Sequence, residues 1–146
     1  MSYITNGMIE LRVGAAAYAQ LADDDGDGVA DAAAVDEIRL AAEGEVNSYL
    51  AARYAVPVDL AAFPELSGLV VSAVLDVAEY RLRLRRPPVP LETLRRRAEA
   101  VDWLTNIATG VLTLPVEGLA TTTARGLVAR ATGNAKVLTH DELDAV

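Results

Sequence analysis

The sequence has no cysteine and only one histidine, one phenylalanine and one tryptophan among its 146 residues. Without cysteine there is no disulfide, no thiolate nucleophile and no cysteine-based zinc site. His140, the lone histidine, lies close to the C-terminal end, so a histidine-based triad or histidine-rich metal site is not available. Phosphate loops of the G-x-G-x-x-G or Walker kind are missing, as is the G-x-S-x-G nucleophile elbow. No catalytic activity is expected. Long apolar runs are lacking too. The longest, Leu69 to Leu75, is ended by Asp76, whereas a bilayer span needs about 20 residues. The start has no charged segment leading into an apolar run, so a signal peptide is not expected and the chain reads as a soluble intracellular protein with no membrane partner.

What is present is aliphatic. Hydrophobic residues make up 52% of the chain and aromatics only 5%, which implies an alanine, valine and leucine interior and helices in close contact. The net charge of −8 argues against a surface built throughout for nucleic acid. Positive charge is concentrated, however. Seven of the thirteen basic residues fall between Arg81 and Arg97, and twelve of the thirteen are arginine.

One stretch organises the rest. From Pro64 to Arg86, the residues Leu66, Val70, Ala73, Val77, Tyr80 and Leu84 recur at spacings of four and three, a continuous stripe on an α-helix. Leu69, Val71, Val74 and Leu75 add apolar surface around its first half, which places this helix inside a core. Pro64 suits a first helical position, and Pro87-Pro88 ends the helix after a run of arginines that favours its C-terminal dipole.

Around it the chain reads as helical. An extended start, Ser2-Tyr3-Ile4, leads into a helix capped by Thr5 or Asn6; Gly14 breaks it, and a second short helix covers Ala15 to Leu21. A long helix from about Ala32 to Arg53 buries Val35, Ile38, Ala42, Val46, Tyr49 and Leu50, with Asp36, Glu37 and Glu43 facing outward. After the polyproline-like turn at 87–90, a further helix extends to Ala108. Leu91, Leu94, Ala98, Val101, Leu104 and Ala108 trace its expected buried stripe, with Gly110 as its stop. Beyond Gly110 helical periodicity fades. Val111 to Leu114 reads as a short strand or an extended arm, Lys136-Val137-Leu138 as an edge strand, residues 120–124 as mobile, and Thr139 to Glu142 as a capping box. The expected fold is therefore all-α: a small bundle of about four main helices over residues 1–110, and an extended C-terminal arm over 111–146.

Two clusters carry the chemistry. Residues 23–31, DDDGDGVAD, place carboxylates at loop positions one, three, five and nine with glycine at six. Asp23, Asp25, Asp27, the Val29 carbonyl and Asp31 would then surround a structural Ca²⁺, although Ala34 occupies the twelfth position, where an EF-hand has glutamate. The competing reading is an aspartate-rich turn in which Asp27 or Asp31 caps the long helix. The second cluster is Arg81, Arg85, Arg86, Arg95, Arg96 and Arg97 at one end of the bundle. It reads either as a contact for phosphate or an acidic partner, or as a solvated end held by local pairs such as Glu92 with Arg96.

The opening Met1-Ser2-Tyr3-Ile4-Thr5, the aspartate loop before a long helix, and the phrase Val46-Asn47-Ser48-Tyr49-Leu50-Ala51-Ala52-Arg53-Tyr54-Ala55-Val56-Pro57 resemble the Mu gp36-like proteins of tailed phages and prophages. Asp76-Val77-Ala78-Glu79-Tyr80-Arg81-Leu82, Trp103-Leu104, Ala108-Thr109-Gly110 and the closing Lys136 to Leu143 strengthen the likeness. The resemblance implies an all-helical head–tail connector, or adaptor, forming a ring of about twelve copies below the portal. Its partners would be the portal, a tail-side neck or stopper protein, and DNA passing without sequence specificity. Its place would be the neck of a phage or gene-transfer particle, after synthesis in the host bacterial cytoplasm. Val137, Leu138 and Leu143 in the arm, with the six arginines, are the expected partner contacts. A calcium-binding interaction module and a small DNA-binding helical protein are the alternatives.

Overall fold

A computed structural model describes residues 1–116. Among them are five helices and no strand: α1 (Asn6–Val13), α2 (Ala15–Ala22), α3 (Ala32–Leu50), α4 (Pro64–Leu84) and α5 (Leu91–Ala108). The fold is all-α, and none of these helices is long and apolar enough to cross a membrane. Of the two readings of Val111 to Leu114, the strand does not form; these residues turn back onto the bundle. The expected segments at 120–124, 136–138 and 139–142, with Val137, Leu138 and Leu143, lie outside the described residues.

Helix boundaries follow local chemistry. Thr5 caps α1, its hydroxyl accepting from the Met8 amide at 3.3 Å. Gly14, at φ 91°, turns the chain between α1 and α2 in a conformation that side chains disfavour. Pro64 opens α4 at its first position. The long helix α3 stops at Leu50 rather than continuing to Arg53, with residues 51–53 forming a turn.

α4 is central, as its composition implies. Val70, Val74, Val77, Ala78 and Leu82 are fully buried, and α1, α2, α3 and α5 all pack on this helix. α3 contributes Val35, Ala42, Val46 and Leu50 to the core, and α5 contributes Leu104 and Ile107. Burying each such valine or leucine contributes about 1.5–3 kcal/mol. α4 runs antiparallel to both α3 and α5, so Glu79 to Arg81 meet Glu45 on one side and Thr93 to Arg97 on the other.

Two expected faces are corrected. Glu43 points inward, 7% exposed, because its carboxylate accepts from Ser2 Oγ at 2.6 Å, the Tyr3 amide at 2.8 Å and the Ile4 amide at 3.2 Å. It satisfies the backbone of the extended start, whose Tyr3 and Ile4 side chains are themselves buried. On α5, the buried face is Thr93, Ala100, Leu104 and Ile107, whereas Leu91 and Leu94 of the expected stripe are 64% and 42% exposed and Ala98 is exposed. The helix is rotated because Arg96 and Arg97 reach inward for carboxylates on α3 and α4. Leu84, the last member of the α4 stripe, is also exposed at 47%.

Candidate functional site: the aspartate loop and the arginine-rich bundle end

The loop between α2 and α3 is built by its own aspartates. Asp23 accepts from the Gly26 amide at 2.6 Å through Oδ1 and from the Gly28 amide at 2.9 Å through Oδ2. Asp25 accepts from Asp27 N at 3.1 Å, and Asp27 from Val29 N at 2.7 Å. Gly26 and Gly28 sit at φ 83° and 84°, where glycine is the residue of choice. The Asp23, Asp25 and Asp27 carboxylates each offer an oxygen within 4.8 Å of the others. Asp31 is apart from that trio, since its Oδ2 accepts from the Asp24 amide at 2.7 Å across the neck of the loop. It stands at the N-cap of α3 but makes no side-chain capping bond there. The Gly28 N–H, foremost, holds the Asp23 carboxyl below the usual carboxylate range. At Asp25 the Asp27 N–H pulls downward, but the negative charges of Asp27 and Asp31, together with shielding from water, outweigh it and leave the group raised.

The loop docks on the end of α4. Arg85 pairs with the Asp24 carboxylate, and Arg86 donates to the Asp23 carbonyl at 2.7 Å. Between loop, α3 and α4 lies a groove of about 740 Å³ with Ala34, Ile38, Ala41 and Leu84 as its apolar part and Asp24, Asp25, Asp31 and Glu37 as acidic lining.

Deeper in the same end, two glutamates each gather arginines from different helices. Glu45 Oε2 accepts from Arg81 of α4 through Nε at 3.1 Å and Nη2 at 2.6 Å, while Oε1 accepts from Arg97 of α5 at 2.8 Å. The Arg97 guanidinium lies 4.5 Å from the centre of the Tyr80 ring. Glu79, only 3% exposed, accepts from Arg83 at 2.9 Å, Thr93 at 3.2 Å and Arg96 at 3.3 Å. Arg96 also reaches Glu92 at 3.2 Å. The six arginines singled out in the sequence are thus brought to one end, but five are engaged inside the molecule. Among the described residues Arg86 and Arg95 of the six are exposed and without an ion pair, and of these two Arg86 still donates to the Asp23 carbonyl. The glutamates that hold them, Glu45 and Glu79, were missed by the sequence reading; i, i+4 spacing signals Arg83 with Glu79, but nothing local signals a partner on another helix.

The family model described as Bacteriophage Mu, Gp36 matches residues 3–131. The chain belongs to this family. It is therefore a phage-family protein, in which the aspartate loop and the arginine-rich end both fall within the matched span. Neither the curated proteins nor the solved structures give a match. In this phage-family chain the gathered groups are backbone-bound aspartates and carboxylate–guanidinium pairs. Such an arrangement fixes helices against one another and leaves acidic groups outside.

Proposed function

We propose that this protein is a head–tail connector subunit of a tailed phage or phage-like particle. In this reading about twelve copies form a ring below the portal, extending the DNA channel and offering the tail a docking surface. Membership of the Bacteriophage Mu, Gp36 family carries the proposal. Two physical features support it. The bundle is cross-linked by Glu45 and Glu79 between three helices, which gives a subunit stiff enough to hold a ring. Most arginines of the bundle end are engaged internally in a chain of net charge −8, so among the described residues DNA phosphates meet few free cations there and slide past. The portal, a tail-side neck protein and channel DNA are the partners, and the virion neck is the location; no membrane and no catalytic step enters this reading. Electron microscopy of the protein mixed with the portal of its own particle tests it. A ring seated on the portal is expected, and a subunit that stays monomeric and off the portal at high concentration overturns the reading.

The convergence of Asp23, Asp25 and Asp27 favours a second, compatible reading, that the loop takes a structural Ca²⁺. Calorimetric titration tests it: Ca²⁺ binding that raises the melting temperature and is lost in Asp25→Asn is expected. Heat and melting curves unchanged by millimolar Ca²⁺ would exclude it.

A further inference from the structure

With the buried Leu104 set aside, the outer side of α5 carries a mostly apolar heptad seam in which Thr105 is the polar member. Leu91, Leu94, Ala98, Val101, Thr105 and Ala108 alternate at spacings of three and four, the a and d positions of a coiled coil, over a helix of 18 residues. Leu91, Leu94, Ala98 and Thr105 are exposed and Val101 and Ala108 half-buried. The two large residues stand at the start of the seam and the small ones follow. Against a parallel copy, leucine would face leucine at one end and alanine would face alanine at the other, leaving the pair wedge-shaped. Against an antiparallel copy, Leu91 faces Ala108, Leu94 faces Thr105 and Ala98 faces Val101, so each layer has a similar width.

Charge gives the same register. In an antiparallel pair the e positions face each other. The e residues here are Arg95, between Leu94 and Ala98, and Asp102, between Val101 and Thr105. In the layer pairing above, Arg95 falls opposite Asp102 of the second copy, and the two-fold axis repeats the contact. Both residues are exposed, and among the described residues neither makes an ion pair within its own chain. On the other flank of the seam, Arg97 and Leu104 are turned to their own bundle, so pairing across the e positions is the one left open.

We propose that α5 is a self-association surface, by which the protein pairs with a second copy through antiparallel α5 helices. The pair is isologous and so cannot by itself close a ring; it is a property of the free subunit, independent of the connector reading.

The test is a charge swap in the full-length chain, followed by sedimentation. The wild-type mass is expected to rise with concentration from one chain toward two. Arg95→Glu and Asp102→Arg each set like charges opposite at both ends of the axis, and each should weaken self-association by about tenfold or more. Mixing the two variants restores both opposite-charge contacts, so a heterodimer of near wild-type affinity is expected. The sites are exposed, and an unchanged circular dichroism melt checks folding. Orientation is read by cross-linking, since the chain has no other cysteine. Leu91→Cys mixed with Ala108→Cys should form a mixed disulfide, whereas Leu91→Cys alone should not, its two sulfurs lying about 26 Å apart along the antiparallel axis. A wild-type chain that is monomeric at every concentration overturns the proposal. So does an oligomer indifferent to both charge variants, failure of the mixture to recover, or efficient Leu91→Cys self-cross-linking.

Discussion

The Tyr54 hydroxyl accepts a 2.7 Å hydrogen bond from the amide of Leu114, sixty residues further along the chain. Both residues are buried, and the bond ties the chain after α5 to the turn that follows α3. Tyr54→Phe leaves the Leu114 amide without its acceptor. The expected cost is about 1–2 kcal/mol in denaturant unfolding, with faster proteolysis around residues 111–116 and unchanged cleavage elsewhere.

Glu43 is the anchor of the N-terminal segment. Glu43→Ala removes the acceptor of the Tyr3 and Ile4 amides together, and Tyr3 also donates from its hydroxyl to Asn47 at 2.7 Å while accepting from the Val58 amide at 2.8 Å. Loss of stability by about 2–3 kcal/mol is expected. Hydrogen exchange should show early opening at residues 3, 4 and 58 before α3 or α4 opens.

Removing Glu79 should hurt more than removing an exposed pair. Glu79→Ala leaves Arg96 and Arg83 facing an apolar gap, and a destabilisation of about 3 kcal/mol is expected from chemical denaturation. Glu79→Gln keeps the shape and one acceptor oxygen, enough for the Arg83 and Thr93 bonds though not for that of Arg96, and so should cost less. Glu92→Ala, which takes away the exposed partner of Arg96, should change stability by about 0.5 kcal/mol or less.

Two carboxylates respond to pH with opposite sign. Hydrogen bonding from the Asn6 side chain, then from Arg39, holds Asp36 below its ordinary 3.8. Its contribution to stability is therefore complete above that value and is lost as pH falls through the lower folded value. Carboxyl NMR of Asn6→Ala should show the Asp36 midpoint moving up toward 3.8. Burial raises Asp76, against the opposing pull of Arg12 at 2.6 Å. Its contribution is complete below 3.8 and declines as pH rises through the folded value. Asp76→Asn is thus expected to match the wild type near pH 3 and to be at least as stable at pH 7.

The helices were legible because their signals are local: the Thr5 cap, Gly14, Pro64 and the four-three stripe of α4 all act within a few residues. What escaped the sequence depends on distant partners. Glu43 reads as a solvent-facing residue until the amides of residues 3 and 4 arrive beside it. The stripe on α5 is a real periodicity, but periodicity does not say whether a seam faces its own bundle. The inward pull of Arg96 and Arg97 decided that, and their acceptors lie on α3 and α4. In the loop, the spacing of Asp23, Asp25 and Asp27 announced their convergence, while the separate task of Asp31 at the loop neck was not visible.

Gly110 follows the last turn of α5 at φ 82°, and an added Cβ there would collide with the Arg53 guanidinium. Arg53 adjoins Tyr54, so the space that Gly110 leaves for Arg53 and the Tyr54 bond to Leu114 fall at neighbouring points of the departing chain. Tension applied to the chain beyond Val116 therefore falls first on the Tyr54–Leu114 clasp, which passes it to the turn after α3. The terminal hydrogen bonds of α5 feel the pull only after the clasp has given way.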